Sequence, residues 1–325
     1  MIEIGPVPIE EVYAANERIS AFCYRTPLVR LNAGGLPAEI YLKLENLQPY
    51  GSFKVRGVSN LLKKATKEQL KDGICTVSSG NLGLALAWMA KQFGHRCTVV
   101  VPDTSSDVKL ASLKEAGARI MRYPFEEWFE IVSSGEIGDL KGHFVHPSFD
   151  SDMMEGNGTI ALEILADLPD VDAVIMPYGG GGLCCGLSFA IQALKPDTKL
   201  FVSEIETSAP VYAALAAGEP KEIEMRQAPI HCVGSTRVMT QIWPWVSRYL
   251  TGSIVVTPGE VVDAIRLLAE KNRVIAEGSG ALPVAAARTG KADSKKVVCV
   301  VTGGNIDIDM LVKILSHNIS PGWIV

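Results

Sequence analysis

The segment GSFKVRG (51–57) sets Lys54 behind a glycine, a serine and a phenylalanine, at what reads as the mouth of a helix. A lysine is a poor nucleophile while protonated, with a reference pKa of about 10.4. Scarce water or a neighbouring cation, here Arg56 two residues on, eases deprotonation, and the neutral amine can form a Schiff base. The plainer reading is a solvated helix lysine. A second segment, YGGGGLCCGLSFAIQALK (178–195), follows an apolar run and opens an apolar helix. Consecutive glycines let backbone N–H groups converge on an anion without Cβ obstruction, and the helix adds its positive end. The P-loop and dinucleotide spacings are both absent. The alternative is a flexible tight turn, and four glycines make that costly in chain entropy. A third segment, SSGNLGLALA (78–87), repeats the strand-end-to-helix arrangement. Ser78, Ser79 and Asn81 can cap the helix, or its free N–H groups can hold a carboxylate. In the fourth, VVCVVTGGNID (297–307), a buried strand ends at Thr302. That is either a simple turn or a hydroxyl at the edge where open α/β sheets bind ligands.

The elements that must position these groups alternate. Short β-branched runs (73–79, 96–102, 118–124, 173–179, 199–205 and 295–304) are separated by amphipathic or apolar helical patterns. Fully apolar strands between helices imply an α/β chain whose mostly parallel sheets are covered on both faces. The rhythm breaks near 125–155, where the chain is expected to return between two lobes. All four chemical segments then fall at strand ends or helix starts. A cofactor with one phosphate, an aldehyde and a ring nitrogen would use three of them, and an amino-acid carboxylate the fourth. Pyridoxal 5'-phosphate is that cofactor, with Lys54 as its Schiff-base partner.

The chain has 325 residues, 47% hydrophobic and 21% charged, enough for a sizeable core and unlike a disordered chain. A net charge of −5 with no basic block argues against nucleic acid as a partner. No signal-peptide pattern and no membrane-length apolar run is read, and the expected location is cytoplasmic. The seven cysteines show no metal or redox spacing, and vicinal Cys184 and Cys185 read as packing residues. The tryptophans of IWPWV read as packing or subunit-contact groups.

Six blocks in order, LENLQPYGSFKVRG, SSGNLG, EGNGTIALEI, GGGGL, EGSGA and TGGN, resemble the fold-type-II pyridoxal-phosphate enzymes, and most of all their serine/threonine dehydratase and serine racemase branch. The resemblance spans about residues 8 to 315. It implies a large cofactor-binding domain of residues 1–67 and 150–325 and a small substrate-binding domain of residues 68–149. It implies that Lys54 carries the cofactor, that Phe53 packs near the ring, and that Gly179, Gly180, Gly181 and Gly182 bind the phosphate. Asn81 would meet the ring hydroxyl and Thr302 the ring nitrogen. Ser78 and the backbone of Ser79, Gly80, Asn81, Leu82 and Gly83 would hold the substrate carboxylate, with Ser79 the proton carrier on the face opposite the lysine. The activity implied is dehydration of L-3-hydroxy amino acids to a 2-oxo acid and ammonia, by a homodimer. Racemisation would be a side reaction.

The chain departs from that pattern in places. The branch commonly reads S-S-G-N-H-x-Q, whereas here Leu82 and Leu84 stand at the His and Gln positions. CVG (232–234) puts Val233, ahead of Gly234, where an Asp is usual. Three apolar groups would then surround the β-carbon and favour a bulky apolar β-substituent, phenylserine being the economical example; the alternative is that the leucines only pack beneath the site. The branch's cation site also looks incomplete: Glu204 and Ser208 match, but Pro210 replaces a second carboxylate, so no metal is expected. Glu277 reads either as a group beside the cofactor or as an acid at a helix N-terminus, and Arg237 as a substrate contact or a surface ion pair. A serine/threonine dehydratase with racemase side activity is the nearer rival. A nucleotide-binding oxidoreductase using Glu204 as its ribose acid is a more distant one, as are a ligand sensor and a β-replacement enzyme.

Overall fold

The computed structural model describes residues 5–78, 80–134, 140–146, 148, 150–226, 230 and 232–318, the side chains of residues 129 and 132–134 excepted. Among the described residues, ten strands form two sheets. They are β1 (Leu28–Arg30), β2 (Glu39–Lys43), β3 (Ile74–Val77), β4 (Cys97–Pro102), β5 (Arg119–Tyr123), β6 (His143–Phe144), β7 (Ala173–Pro177), β8 (Lys199–Ile205), β9 (Gly252–Val256) and β10 (Lys296–Val300). The larger sheet has the order β1-β2-β10-β7-β8-β9, with only β1 antiparallel to its neighbour. The smaller is β5-β4-β3-β6, all parallel.

The strand composition follows from what covers each face. In β7, Val174 and Met176 join one core cluster while Ala173 and Ile175 join the other, and β10 divides Val298 and Val300 from Val297 and Cys299 in the same way. Alternate residues point to opposite faces, so a strand under helices on both sides must be apolar at every position. The strands read from the sequence at 73–79, 96–102, 118–124, 173–179, 199–205 and 295–304 are all present, and β1, β2, β6 and β9 are additional. The break near 125–155 contains a helix, Phe125–Ser134, and the short β6.

Cys184 and Cys185 are buried free thiols; burial pushes the first up to about 12 and raises the second well above the ordinary thiol value. Phe189 meets Trp245 edge-on at 5.3 Å, and Trp245 stacks on Tyr249, so this part of IWPWV is packed within the chain. No helix among the described residues is long and apolar enough to cross a membrane.

Candidate active site

β2, β10 and β7 are adjacent and parallel, so their C-terminal ends share one edge of the larger sheet. Each leads into one of the chemical segments. After β2 the chain makes two short turns and enters helix Lys54–Lys64. After β10 comes Thr302, and after β7 come Tyr178 and the glycine loop. The first two segments are joined backbone to backbone: Phe53 N donates to Thr302 O at 3.0 Å, Gly304 N to Gly51 O at 2.9 Å, and Ser52 bridges Gly303. Thr302 is buried, and so is Ser52, whose Oγ has no hydrogen-bond partner among the described residues.

Lys54 is half-buried at the first position of its helix, with Nζ 5.0 Å from the centre of the Phe53 ring. Desolvation lowers its pKa from 10.5 to about 8. The expected help from Arg56 is absent. That guanidinium points away from Lys54 into a buried cluster, giving its donors to Glu45 and Glu163, and the two carboxylates neutralise it. Scarce water is therefore the cause of the shift.

In the glycine loop, Gly181 has φ +96°, and helix Gly182–Leu194 begins directly after it. Three of its four glycines leave no room for a Cβ. A Cβ at Gly180 would overlap Ser148 Oγ, one at Gly181 would lie 2.6 Å from Ile242 Cγ2, and one at Gly182 would lie 2.7 Å from Ser148 O. Val233 borders the loop at 3.4 Å from a Cβ position on Gly179; it is 38% exposed, and its N–H donates to Ser279 Oγ at 2.8 Å. Gly234 packs against Ser208.

From the smaller sheet, β3 is followed by Ser78, whose Oγ accepts from Gly80 N at 3.2 Å, and then by helix Asn81–Gln92. Ser79 lies outside the described residues. Asn81 reaches across to the larger lobe. Its Nδ2 donates to Glu277 Oε1 at 2.6 Å, and its Oδ1 accepts from Asn305 Nδ2 at 2.8 Å. Glu277 immediately precedes helix Gly278–Arg288 and borders Gly303. Burial raises its pKa to about 7, against the opposing pull of the Asn81 hydrogen bond and the Lys109 charge. Gly83 packs tightly on Ser78 O. Leu82 is 2% exposed and belongs to the apolar cluster shared by helices Asn81–Gln92 and Lys54–Lys64, and Leu84 packs against that cluster. Arg237 is exposed, closes a turn with Ser235, and makes no ion pair among the described residues.

Two polar residues at the loop did not stand out in the sequence. Ser148 backs Gly180 and Gly182 from the stretch where the strand–helix rhythm fails, so no pattern marked it. Asn157 Nδ2 lies 3.4 Å from Gly182 O, with its Oδ1 buried and unpartnered among the described residues. An asparagine between two glycines inside an apolar helical run was the available signal.

Glu204 is already committed. Its carboxylate accepts from Val211 N at 2.8 Å, Tyr212 N at 2.9 Å and Ser253 Oγ at 2.5 Å, so it closes the start of helix Pro210–Ala217. That placement fits neither a metal ligand nor a ribose-binding acid. No three His, Cys, Asp or Glu side chains gather to hold a metal among the described residues. An open cavity of about 680 Å³, lined in part by Arg96, Arg119 and Lys141, lies beside the starts of β4 and β5 and shares no residue with this site.

Comparison with known proteins agrees with the chemistry of this edge. The family described as "Pyridoxal-phosphate dependent enzyme" matches residues 19–303. L-threonine ammonia-lyase of Thermotoga maritima is 34% identical over 323 residues, covering 96% of this chain and 79% of that protein. Serine racemase of Dictyostelium discoideum is 32% identical over 326 residues, covering 97% of this chain and 100% of that protein. The structure of maize serine racemase superposes with a TM-score of 0.84 at 27% identity, covering 97% of this chain and 98% of that one. The residues present fit the family's cofactor: a glycine cradle with no room for a Cβ at Gly180, Gly181 or Gly182, a lysine deprived of water, and the buried hydroxyls of Ser52 and Thr302 on adjoining segments.

Proposed function

We propose, from the premise that this chain belongs to the pyridoxal-phosphate dependent enzyme family, that it dehydrates L-3-hydroxy amino acids to 2-oxo acids and ammonia and that its pocket favours an apolar β-substituent. The chain is a fold-type-II enzyme of the serine/threonine dehydratase and racemase branch, and an enzyme of the ammonia-lyase class. What is proposed is the substrate and the roles of individual residues.

Pyridoxal phosphate, when bound, supplies an aldehyde for a covalent link to an amine and a ring that accepts charge from the α-carbon. The N–H groups at the start of helix Gly182–Leu194 would hold the phosphate, aided by the helix dipole. Lys54 is well suited to carry the cofactor and then to take the α-proton, because a pKa of about 8 leaves a useful neutral fraction near pH 7. Thr302 offers only a neutral hydroxyl, which cannot hold a ring nitrogen protonated as a carboxylate would. A ring paired with that hydroxyl would be a weaker charge sink, a setting that would suit loss of the β-hydroxyl. Asn81, held by Glu277 and Asn305, would meet the ring hydroxyl. Ser78 and the first-turn N–H groups of helix Asn81–Gln92 would take the substrate carboxylate. Loss of the α-hydrogen and β-hydroxyl as water leaves an enamine, and its imine tautomer hydrolyses to the 2-oxo acid and ammonia.

The observation that carries the substrate reading is Val233, apolar and exposed beside Gly179. The burial of Leu82 in the apolar cluster between its helix and the lysine helix favours the second reading, threonine or serine with racemase side activity, because it removes one expected apolar wall. Comparing kcat/KM for phenylserine, threonine and serine decides between them, and a clear preference for serine would end the first. A cytoplasmic homodimer belongs to the same proposal, and sedimentation of the holoenzyme tests its assembly.

A further inference from the structure

Lys54 and the glycine loop sit on different helices, Lys54–Lys64 and Gly182–Leu194, yet a single small cofactor must reach both. A third helix, Ser151–Asp167, touches each of them. On one side its Gly156 packs backbone to backbone on the lysine helix: a Cβ there would meet Arg56 O and lie 2.7 Å from Gly57 Cα. On the other side, a Cβ at Gly158 would lie 3.0 Å from Gly186 O of the loop helix. Asn157, between these glycines, reaches Gly182 O.

Arg56 locks this crossing. The residue is 1% exposed. Nη1 and Nη2 donate to the two oxygens of Glu163, on the third helix, at 2.7 and 2.9 Å. Nη1 also reaches Thr159 Oγ1 at 3.1 Å, and Nη2 reaches Tyr24 O at 3.2 Å. Nε and Nη2 grip Glu45, just beyond β2, at 2.7 and 2.8 Å. Lys43, the last residue of β2, donates to Glu163 at 2.5 Å and completes a neutral set of two cations and two carboxylates. One side chain therefore ties the lysine helix both to the sheet and to the helix that abuts the glycine loop.

The geometry points to Arg56 as a positioning residue for cofactor capture: with Glu163 and the Gly156–Gly57 crossing, it sets the span between the Lys54 amine and the Gly179–Gly182 cradle at which one ligand's aldehyde and phosphate engage together. The inference rests on the family's cofactor and is independent of the substrate reading. A ligand held at two points gains from the second contact only while the sites keep the matching distance, and loses that gain when they do not.

Binding of pyridoxal phosphate and of pyridoxal, which lacks the phosphate, to the full-length apoprotein measures that gain directly. Arg56→Lys keeps the charge but not the double fork. It is expected to weaken binding of pyridoxal phosphate about tenfold or more while pyridoxal changes less than about twofold. Gly156→Ala, which forces the helices apart without altering charge, is expected to do the same, and Thr159→Val to give a smaller loss of about threefold. A merely structural role would lower Tm and leave the ratio of the two affinities alone. Should Arg56→Lys fail to fold, the other two variants give the answer. A ratio within about twofold of the parent's in the variants that fold overturns the inference. Parent protein that binds neither aldehyde would instead count against the cofactor fit itself.

Discussion

Asn81 Nδ2 lies 2.6 Å from Glu277 Oε1, joining the first turn of a helix in the smaller lobe to the residue that starts helix Gly278–Arg288 in the larger. Asn305 completes the link by donating to both Asn81 Oδ1 and Tyr50 O at 2.8 Å. The two lobes thus meet through polar contacts beside the loop that follows Thr302, and one of those contacts is to an acid whose charge is penalised by burial.

That penalty has a pH signature. Burial raises the Glu277 pKa from 4.5 to about 7. The folded state therefore binds this proton more tightly than the unfolded chain does. The stability so gained is complete below the unfolded pKa and is lost as pH rises through about 7. Glu277→Gln keeps an acceptor for Asn81 and removes the titration. Relative to the parent, its Tm is expected to gain roughly 2–4 °C between pH 5 and pH 8. A pH-independent difference in Tm would show that Glu277 does not titrate in this range.

Lys54 titrates in the opposite sense. With its pKa lowered to about 8, the neutral amine is far more abundant near pH 7.5 than on an exposed lysine. The rate of pyridoxal phosphate uptake by apoprotein should rise with pH to a midpoint near that value, and borohydride should fix the label on the peptide containing Lys54. Lys54→Ala should remove the label and reduce kcat/KM by roughly 1,000-fold or more. A midpoint above about 10 would mean that the amine is fully hydrated before capture.

The elements legible in the sequence were those whose chemistry is local. β3, β4, β7, β8 and β10 are apolar runs because helices cover both faces, and glycine-rich breaks mark their ends. β2 escaped notice because its last residue is Lys43, a charge tolerated in the interior only because Glu163, distant in sequence, is beside it. Arg56 was misread for the same reason: proximity in sequence to Lys54 suggested an electrostatic partner, whereas tertiary contacts with Glu45 and Glu163 turn it away. Segments carrying Lys54, Thr302 and the glycine loop could each be recognised as strand-end chemistry. Their adjacency comes from the strand order β2-β10-β7, which no local pattern encodes.

Glu204 yields a prediction about metals and stability together. Its carboxylate is fully engaged by Val211 N, Tyr212 N and Ser253 Oγ, and it is 2% exposed. Dialysis against chelator is expected to leave Tm and activity unchanged, with no further gain on adding magnesium or calcium. Glu204→Gln replaces one acceptor oxygen by a donor facing backbone N–H groups, at a cost of about 1–3 kcal/mol in stability. Strong activation by a divalent cation would require this carboxylate to leave its helix.

Leu82 and Val233 separate packing from selectivity. Leu82 is 2% exposed and belongs to the apolar cluster shared by helices Asn81–Gln92 and Lys54–Lys64, whereas Val233 is 38% exposed beside Gly179. Truncating a buried leucine leaves a cavity, so Leu82→Ala should cost about 2–5 kcal/mol in stability. It should leave the ratio of kcat/KM for phenylserine over threonine nearly unchanged. Val233→Ala removes apolar surface that packs on little else, and should change stability by no more than about 0.5 kcal/mol. If its isopropyl group contacts the β-substituent, that same ratio should fall about tenfold, the scale set by losing one or two methyl groups from an apolar pocket. The two variants therefore move different observables. A ratio that follows Leu82 and ignores Val233 would place the selective contact on the smaller lobe and require its first helical turn to rearrange when substrate binds.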